Sequence, residues 1–98
     1  MEKQYHVYMM TNKRNTVIYM GFSSDLNGRV WQHKKKVDPK SFACKNNCDR
    51  LVYFAETNDV WEAMEEEKRI KAGSRVKKVK MIESMNPAWK DLARDWYD

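Results

Sequence analysis

Two short runs of strand-forming residues near the start of the chain constrain its fold more than any other feature. QYHVYMM (residues 4–10) and TVIYMGF (residues 16–22) are rich in β-branched and aromatic side chains, which favour strands. The segment between them, TNKRN (residues 11–15), is polar and has the length of a hairpin loop. Strands joined by so short a connection pair antiparallel, because a parallel pair needs a long crossover. The sequence therefore predicts a sheet with at least one antiparallel pair.

The rest of the pattern combines helices with one further strand. LVYFA (51–55) is a short apolar strand, and residues 37–49 are a predicted loop that contains Cys44 and Cys48. Helices are predicted over four stretches, the first capped by Ser24: residues 24–35, 59–72, 75–84 and 88–96. The order hairpin, helix, strand, helices is typical of an α+β protein. No repeat or Pro/Gly-rich linker divides the chain, so residues 1–98 are predicted to form a single domain.

Composition restricts the class of protein and the kind of partner. No apolar run approaches the ~18 residues of a membrane span, and MEKQYHVYMM lacks the apolar region of a secretory signal. We therefore expect a cytoplasmic protein with no membrane partner. In a reducing cytosol the two cysteines are expected to be free thiols, and a metal role for them ranks second. Nineteen Lys and Arg against fourteen Asp and Glu give a net charge of +5, which permits a polyanionic partner.

Polar residues interrupt the apolar stripes of two predicted helices. Arg29 and His33 share the face of Leu26, because residues three, four and seven apart lie on one side of a helix. In the helix over 59–72, Glu67 completes the inward stripe. A carboxylate there is unfavourable unless it is paired, protonated or bound to a cation.

Two strand tyrosines complete the set. A register with Met10 opposite Val17 would set Tyr8 opposite Tyr19. Taken singly, each polar residue has an ordinary explanation, such as strand packing, a helix-end cap or an ion pair between Glu67 and Lys71. Together they provide phenol, guanidinium, imidazole and carboxylate groups, which suit metal-assisted attack on a phosphodiester.

The order of these residues extends along nearly the whole chain. The pattern consists of His6-Val7-Tyr8, Tyr19-Met20-Gly21, Arg29 with His33, Leu51-Val52-Tyr53, Glu67-Lys68, Asn86-Pro87, Trp89 and Asp91-Leu92. It resembles the GIY-YIG nuclease superfamily, and within it the small stand-alone bacterial proteins. The resemblance implies a three-stranded antiparallel sheet flanked by helices. His6 in place of the family glycine and Met20 in place of isoleucine are departures, and neither removes a proposed catalytic side chain.

The resemblance also implies a role for each catalytic residue. Tyr8 would activate the attacking water, and Tyr19 would complete its hydrogen-bond network. Arg29 would stabilise charge on the phosphorane, and His33 would contact the phosphate or assist proton transfer. Asn86 would help to hold the site or the substrate strand. We expect the tyrosines, Arg29 and the metal ligand to converge on one surface, with His33 at its edge.

The same resemblance assigns the metal. Glu67 would bind one divalent ion, Mg²⁺ or Mn²⁺, and a single protein carboxylate implies weak binding without substrate. The predicted function is a metal-dependent endonuclease that hydrolyses DNA in preference to RNA. No part of the chain resembles an added DNA-targeting domain, so cleavage is expected to be directed by structure and not by sequence. The alternative is a non-catalytic module that keeps the fold and binds nucleic acid or another partner.

Basic residues are the candidates for phosphate contacts. They lie in two runs that are poor in acidic residues: Lys34, Lys35 and Lys36, and then Lys71, Arg75, Lys77, Lys78 and Lys80. The alternative for such a run is a solvated helix face.

Overall fold

A three-stranded antiparallel sheet forms the centre of the fold, with helices on both faces. The computed structural model describes residues 4–97. In chain order the elements are β1 (Tyr5–Thr11), β2 (Ile18–Ser23), α1 (Leu26–Lys34), α2 (Phe42–Lys45), β3 (Arg50–Thr57), α3 (Val60–Lys71) and α4 (Arg75–Met85). The strand order is β2-β1-β3, and β1 pairs antiparallel with both neighbours. The predicted α+β class and the three-stranded antiparallel sheet are confirmed.

The hairpin register differs from the predicted one. Met10 pairs with Tyr19, and not with Val17. The side-chain oxygen of Asn12 accepts hydrogen bonds from the N–H groups of Thr16 and Val17, at 2.8 and 3.0 Å. These bonds hold Thr16 and Val17 in the loop, so β2 begins at Ile18, two residues later than predicted. The pairing therefore shifts by two positions, which leaves each side chain on its predicted face because side chains alternate along a strand.

The alternation along β1 divides the core into two clusters. Tyr8 and Met10 point to the side covered by α1, α2 and the C-terminal segment, together with Leu26, Val30, Ala43, Cys48, Leu51 and Ala93. Val7 and Met9 point to the side covered by α3 and α4, together with Met20, Val52, Ala63, Ile70 and Ile82. Each face of the sheet thus has its own apolar core.

Helix boundaries follow the capping residues. Asp25, and not Ser24, caps α1, because its Oδ1 accepts from the N–H of Gly28 at 3.0 Å. Asp59 caps α3, with Oδ1 2.9 Å from the backbone nitrogen of Trp61. None of the helices that the structure describes has the length and apolar character needed to cross a membrane.

Two predicted segments differ from the structure. The predicted loop over 37–49 contains the short helix α2, which Ser41 caps. The predicted helix over 88–96 is instead a series of turns. Trp89 adopts a positive φ of 53°, and the N–H of Leu92 bonds to the carbonyl of Leu51 at 2.7 Å. The segment is therefore held against β3 by its backbone and does not continue as a helix.

Both cysteines are buried free thiols. Burial raises the pKa of Cys48 to about 11, so this thiol stays protonated and is a poor metal ligand. Among residues 4–97 no three His, Cys, Asp or Glu side chains are grouped closely enough to hold a metal ion by themselves.

Candidate active site

Tyr8 lies at the centre of the candidate site, and a glycine makes room for it. The Tyr8 side chain projects from β1 and is 1% exposed. Its ring lies over Gly21, its partner in β2. A Cβ atom at position 21 would lie 2.7 Å from the Tyr8 hydroxyl oxygen and 2.8 Å from Cζ. The observed position of the phenol therefore requires glycine at this point of β2.

The Tyr8 hydroxyl and His33 share a hydrogen bond. The hydroxyl oxygen lies 3.1 Å from Nε2 of His33, a buried residue of α1. Burial lowers the pKa of His33, and the nearby Arg29 charge lowers it further. Burial raises the pKa of Tyr8 well above its usual range, and the neighbouring Tyr19 raises it further. A neutral imidazole accepts from the phenol in the tautomer that carries its proton on Nδ1, and donates to the phenol in the other tautomer.

Tyr19 packs beside this pair. Its ring centroid lies 5.2 Å from that of His33 and 6.2 Å from that of Tyr8. On its other side, the ring of Phe42 stacks on Tyr19 at 6.3 Å with an interplanar angle of 26°. Because the centroids of Tyr8 and His33 are 6.0 Å apart, the three rings form a triangle, and His33 is in contact with both tyrosines.

Two opposite charges act on the Tyr8 hydroxyl. Arg29 is exposed on α1, one turn before His33, and its charge lowers the pKa of Tyr8. The charge of Glu67 raises that pKa, although α3 packs on the other face of the sheet. A cleft lined by Tyr19 and by Lys71, the ion-pair partner of Glu67, lies between the two faces at β2. The group therefore extends around the edge strand β2 and does not lie on a single face.

Glu67 fits the requirements of a one-carboxylate Mg²⁺ site. Its side chain is 16% exposed and accepts a hydrogen bond from Lys71 Nζ at 3.1 Å. The carboxylate is thus paired, which removes the conflict seen in the sequence. Mg²⁺ is commonly held by one or two carboxylates, substrate phosphates and several waters, so a larger cluster of ligands is not needed. Bound there, the ion would supply Lewis-acid stabilisation of charge on a phosphate oxygen.

Asn86 is not brought to this group. The side chain is buried at the C-terminal end of α4, and its Nδ2 donates to the carbonyls of Val52 and Lys90 at 3.2 and 2.7 Å. Its Oδ1 accepts from the N–H of Lys90 at 3.0 Å. Val52 belongs to β3, on the far side of β1 from β2. The structure assigns Asn86 to anchoring the C-terminal turn, because its amide groups are fully occupied.

Several of the basic candidates are occupied within the fold. Lys34 pairs with Asp91 and donates to the carbonyl of Asp49 at 2.9 Å. Arg75 donates to the carbonyls of Asn15 and Thr16 at 2.8 and 3.1 Å, which fastens α4 to the hairpin loop. These two residues therefore have internal partners that fasten segments to one another, and their contact with phosphate stays a prediction.

The other basic candidates differ in how free they are. Lys36 donates to Asn47, Lys71 pairs with Glu67, and Lys78 lies 3.3 Å from the carbonyl of Gly73. Within residues 4–97, three of the candidates are exposed and make no side-chain hydrogen bond: Lys35, Lys77 and Lys80. These three are the cations most available to a phosphate backbone.

Phe42 is the site residue that sequence reasoning missed. It begins α2 and is 55% exposed, although it stacks on Tyr19. The signal was an aromatic residue within a segment otherwise predicted as a polar loop. Its proximity to Tyr19 depends on how α2 folds back toward β2, which no local pattern indicates.

Comparisons with known proteins identify the family and the fold. The chain matches the family model of the GIY-YIG catalytic domain over residues 4–80. It is similar in structure to the UPF0213 protein BH0048 from Bacillus halodurans, solved by solution NMR, with a TM-score of 0.58 and 22% identity over 94% of this chain and 97% of that chain. At this identity the likeness shows the fold alone, and no curated protein matches the chain. Because the family model matches more than half of the sequence, the chain belongs to the GIY-YIG catalytic domain family, a nuclease superfamily.

Proposed function

We propose that this domain is a metal-dependent endonuclease that hydrolyses phosphodiester bonds, with DNA preferred to RNA. The observation that carries the proposal is the hydrogen bond between the Tyr8 hydroxyl and Nε2 of His33. In the proposed mechanism the phenol, whose pKa is raised, transfers its proton to the imidazole through this bond. Membership of the family is the second support, because it implies a nucleic-acid substrate and a divalent metal.

The proton moves along the path Tyr8–His33. As water attacks phosphorus, its proton passes to the Tyr8 oxygen while the phenol proton passes to Nε2 of His33. The products of this step are the pentacoordinate phosphorane, a neutral phenol and an imidazolium. Tyr8 never has to be a free phenolate, which agrees with the upward shift of its pKa on burial.

Charge stabilisation is the task of the residues around this pair. Arg29 is exposed beside the site, where its guanidinium is available to the negative charge that grows on the phosphorane oxygens. Glu67 would hold the divalent ion once Lys71 gives up its ion pair. One carboxylate binds such an ion weakly, so we expect metal and substrate to bind together.

The substrate and the compartment belong to the same proposal. Lys35, Lys77 and Lys80 provide contacts to phosphate that carry no sequence information. We therefore propose recognition by nucleic-acid structure and not by sequence.

A cytoplasmic location is supported by two buried free thiols, Cys44 and Cys48, which suit a reducing compartment.

A substrate panel with a matched pair of variants tests the proposal. Single-stranded, duplex, nicked and branched DNA and RNA are incubated with Mg²⁺, Mn²⁺ or EDTA. We expect metal-dependent cleavage by the wild type and by Glu66→Gln, and its loss in Glu67→Gln. Both variants remove an ion pair from α3, with Arg69 and Lys71 respectively, so their melting temperatures should change little and alike. Cleavage that persists in Glu67→Gln or in EDTA would refute the metal role of Glu67.

A non-catalytic binding module remains the second candidate, for one reason. Tyr8 is 1% exposed, so an attacking water must enter the core to reach the hydroxyl. If the wild type binds nucleic acid with a clear salt dependence but cuts nothing on the panel, this second function holds.

A further inference from the structure

Phe42 is exposed at a place where chemistry is proposed to occur. Single exposed apolar side chains are common on proteins, so its 55% exposure alone carries no meaning. Its surroundings distinguish it from Trp61, which is 70% exposed on α3 and has no aromatic neighbour within residues 4–97. Phe42 stacks on Tyr19, and Tyr19 in turn packs on His33 and Tyr8.

The cleft beside Phe42 combines aromatic, apolar and cationic groups. It is formed at the edge strand β2 and is lined by Ile18, Tyr19, Met20, Phe42, Lys71 and Lys78. Lys71 is paired with Glu67, and Lys78 lies 3.3 and 3.4 Å from two backbone carbonyls. Within residues 4–97, Lys78 has no carboxylate partner, and Lys71 would be released by a metal ion on Glu67. Lys78 has one donor left for a phosphate without any metal, and Lys71 would gain its donors when an ion binds Glu67.

An exposed aromatic ring beside cations is the combination that binds unpaired nucleotides. Bases stack on the ring while the cations follow the backbone, and this recognition tolerates any sequence. Bases inside a duplex have both faces covered by their neighbours, so they cannot stack on a side chain unless they are extruded or lie at an end. The cleft therefore favours a strand whose bases are free.

We infer that Phe42 is a stacking platform for an unpaired nucleobase next to the scissile phosphate, and that the domain thereby selects single-stranded or frayed nucleic acid. Phe42 stacks on Tyr19, which packs on His33 and Tyr8, so a base on Phe42 would lie beside the proposed reacting groups. Lys71 and Lys78 would hold the flanking phosphates. This inference rests on the proposed function for its reference to cleavage. Base stacking itself does not depend on catalysis.

The test measures binding without cleavage. Fluorescence anisotropy in EDTA compares a labelled single strand with a labelled, relaxed circular duplex, which has no ends. The proteins are the wild type, Phe42→Ala, Phe42→Trp, Phe42→Leu and the matched control Trp61→Ala. Loss of one base–aromatic stack should weaken single-strand binding by Phe42→Ala roughly 5- to 140-fold, the equivalent of about 1–3 kcal/mol at ~1.4 kcal/mol per tenfold. Duplex binding and the salt slope should stay unchanged, Phe42→Trp should bind like the wild type, and Trp61→Ala should have no effect.

Further experiments identify what stacks on Phe42. An abasic nucleotide moved along the strand should abolish the effect of Phe42→Ala at one position, in DNA and in RNA alike. Equal losses for Phe42→Ala and Trp61→Ala, equal losses on strand and duplex, or full binding by Phe42→Leu would overturn the inference. A wild-type dimer that Phe42→Ala dissociates in sedimentation would also overturn it, because the occupant would then be a second copy.

The result also separates this inference from the proposed function. Cleavage of single strands that is unaffected by Phe42→Ala would overturn the stacking platform and leave the nuclease intact. Stacking that depends on Phe42, with no cleavage of any substrate, would uphold the platform and overturn the nuclease.

Discussion

At the scale of single residues, the protonation state of His33 decides what the Tyr8 hydroxyl can do. The imidazole is 8% exposed, and burial lowers its pKa, followed by the effect of Arg29. A protonated His33 would have no lone pair for the phenol and would add a second positive charge beside Arg29. The resting state of the pair is therefore neutral.

This pair makes folding sensitive to acid in a definite direction. The unfolded imidazole has a pKa near ~6.5, and the folded one is lower, so between the two values the unfolded chain binds the proton. The stability that His33 contributes is complete above ~6.5 and is lost as pH falls through the folded pKa. Melting temperatures of the wild type and of His33→Gln, followed from about pH 8 to about pH 5, isolate the effect. The wild type should lose stability faster than the variant below ~6.5, and parallel curves would contradict a buried neutral imidazole.

At the scale of elements, the sequence predicts which strands and helices form better than how they meet. The alternation in β1 and β2 places Tyr8 and Tyr19 on one face, and both do lie on that face. The register was wrong because a single side chain, Asn12, captures loop N–H groups that the pattern had assigned to the strand. Helix α2 was missed because a helix of this length rests on one cap, Ser41. Such local hydrogen bonds compete with those of the sheet and the helices, and the periodicity of the sequence does not reveal them.

The candidate site shows the same limit. Tyr8 and His33 could be named from residue type and face, but not their hydrogen bond, because they lie on separate elements. The hydrogen-bond partners of Asn86 and Arg75 could not be predicted for a related reason. Their polar groups are occupied by backbone carbonyls from distant segments, and the sequence does not show which carbonyls come near.

The close approach of β1 and β2 at Gly21 gives a prediction for these elements. In Gly21→Ala the new methyl group would lie 2.7 Å from the Tyr8 hydroxyl oxygen, so the ring must move away and its bond to His33 must break. We expect a loss of stability of about 1–3 kcal/mol, as for an overpacked core, together with loss of cleavage. The free energy of unfolding in urea measures the first effect.

The control is Gly73→Ala, just after α3. Gly73 has no positive φ, and its Cβ would meet the carbonyls of Ile70 at 3.2 Å and Arg69 at 3.7 Å, together with the flexible Lys77 side chain at 3.7 Å. This variant should be close to wild type in stability and activity. If Gly21→Ala were equally silent, the phenol would not be held as the structure shows.

At the scale of the whole molecule, the net charge does not show how many cations are free to bind a partner. The chain carries a net charge of +5, but Lys34 and Arg75 use their hydrogen bonds to fasten segments to one another. Among the residues that the structure describes on α4, the exposed cations without a partner are Lys77 and Lys80, three residues apart and therefore on one face of the helix. A polyanion would meet this face first.

The last prediction tests whether this face of α4 is where nucleic acid binds. Each phosphate that the protein no longer neutralises should reduce the slope of log K against log salt by about 0.9 on duplex DNA, so Lys77→Ala with Lys80→Ala should flatten it by about 1.8. The matched control is Lys90→Ala with Arg94→Ala, which removes the same charge from exposed residues of the C-terminal segment. Its slope should stay near that of the wild type.

Binding is measured by anisotropy in EDTA over a range of salt concentrations, for several sequences, and the weakening should be alike for all of them. Single-turnover cleavage at saturating substrate should change little, because neither lysine touches the Tyr8–His33 pair. Equal flattening by both double variants would mean that net charge alone attracts the polyanion, and that α4 is not its docking face.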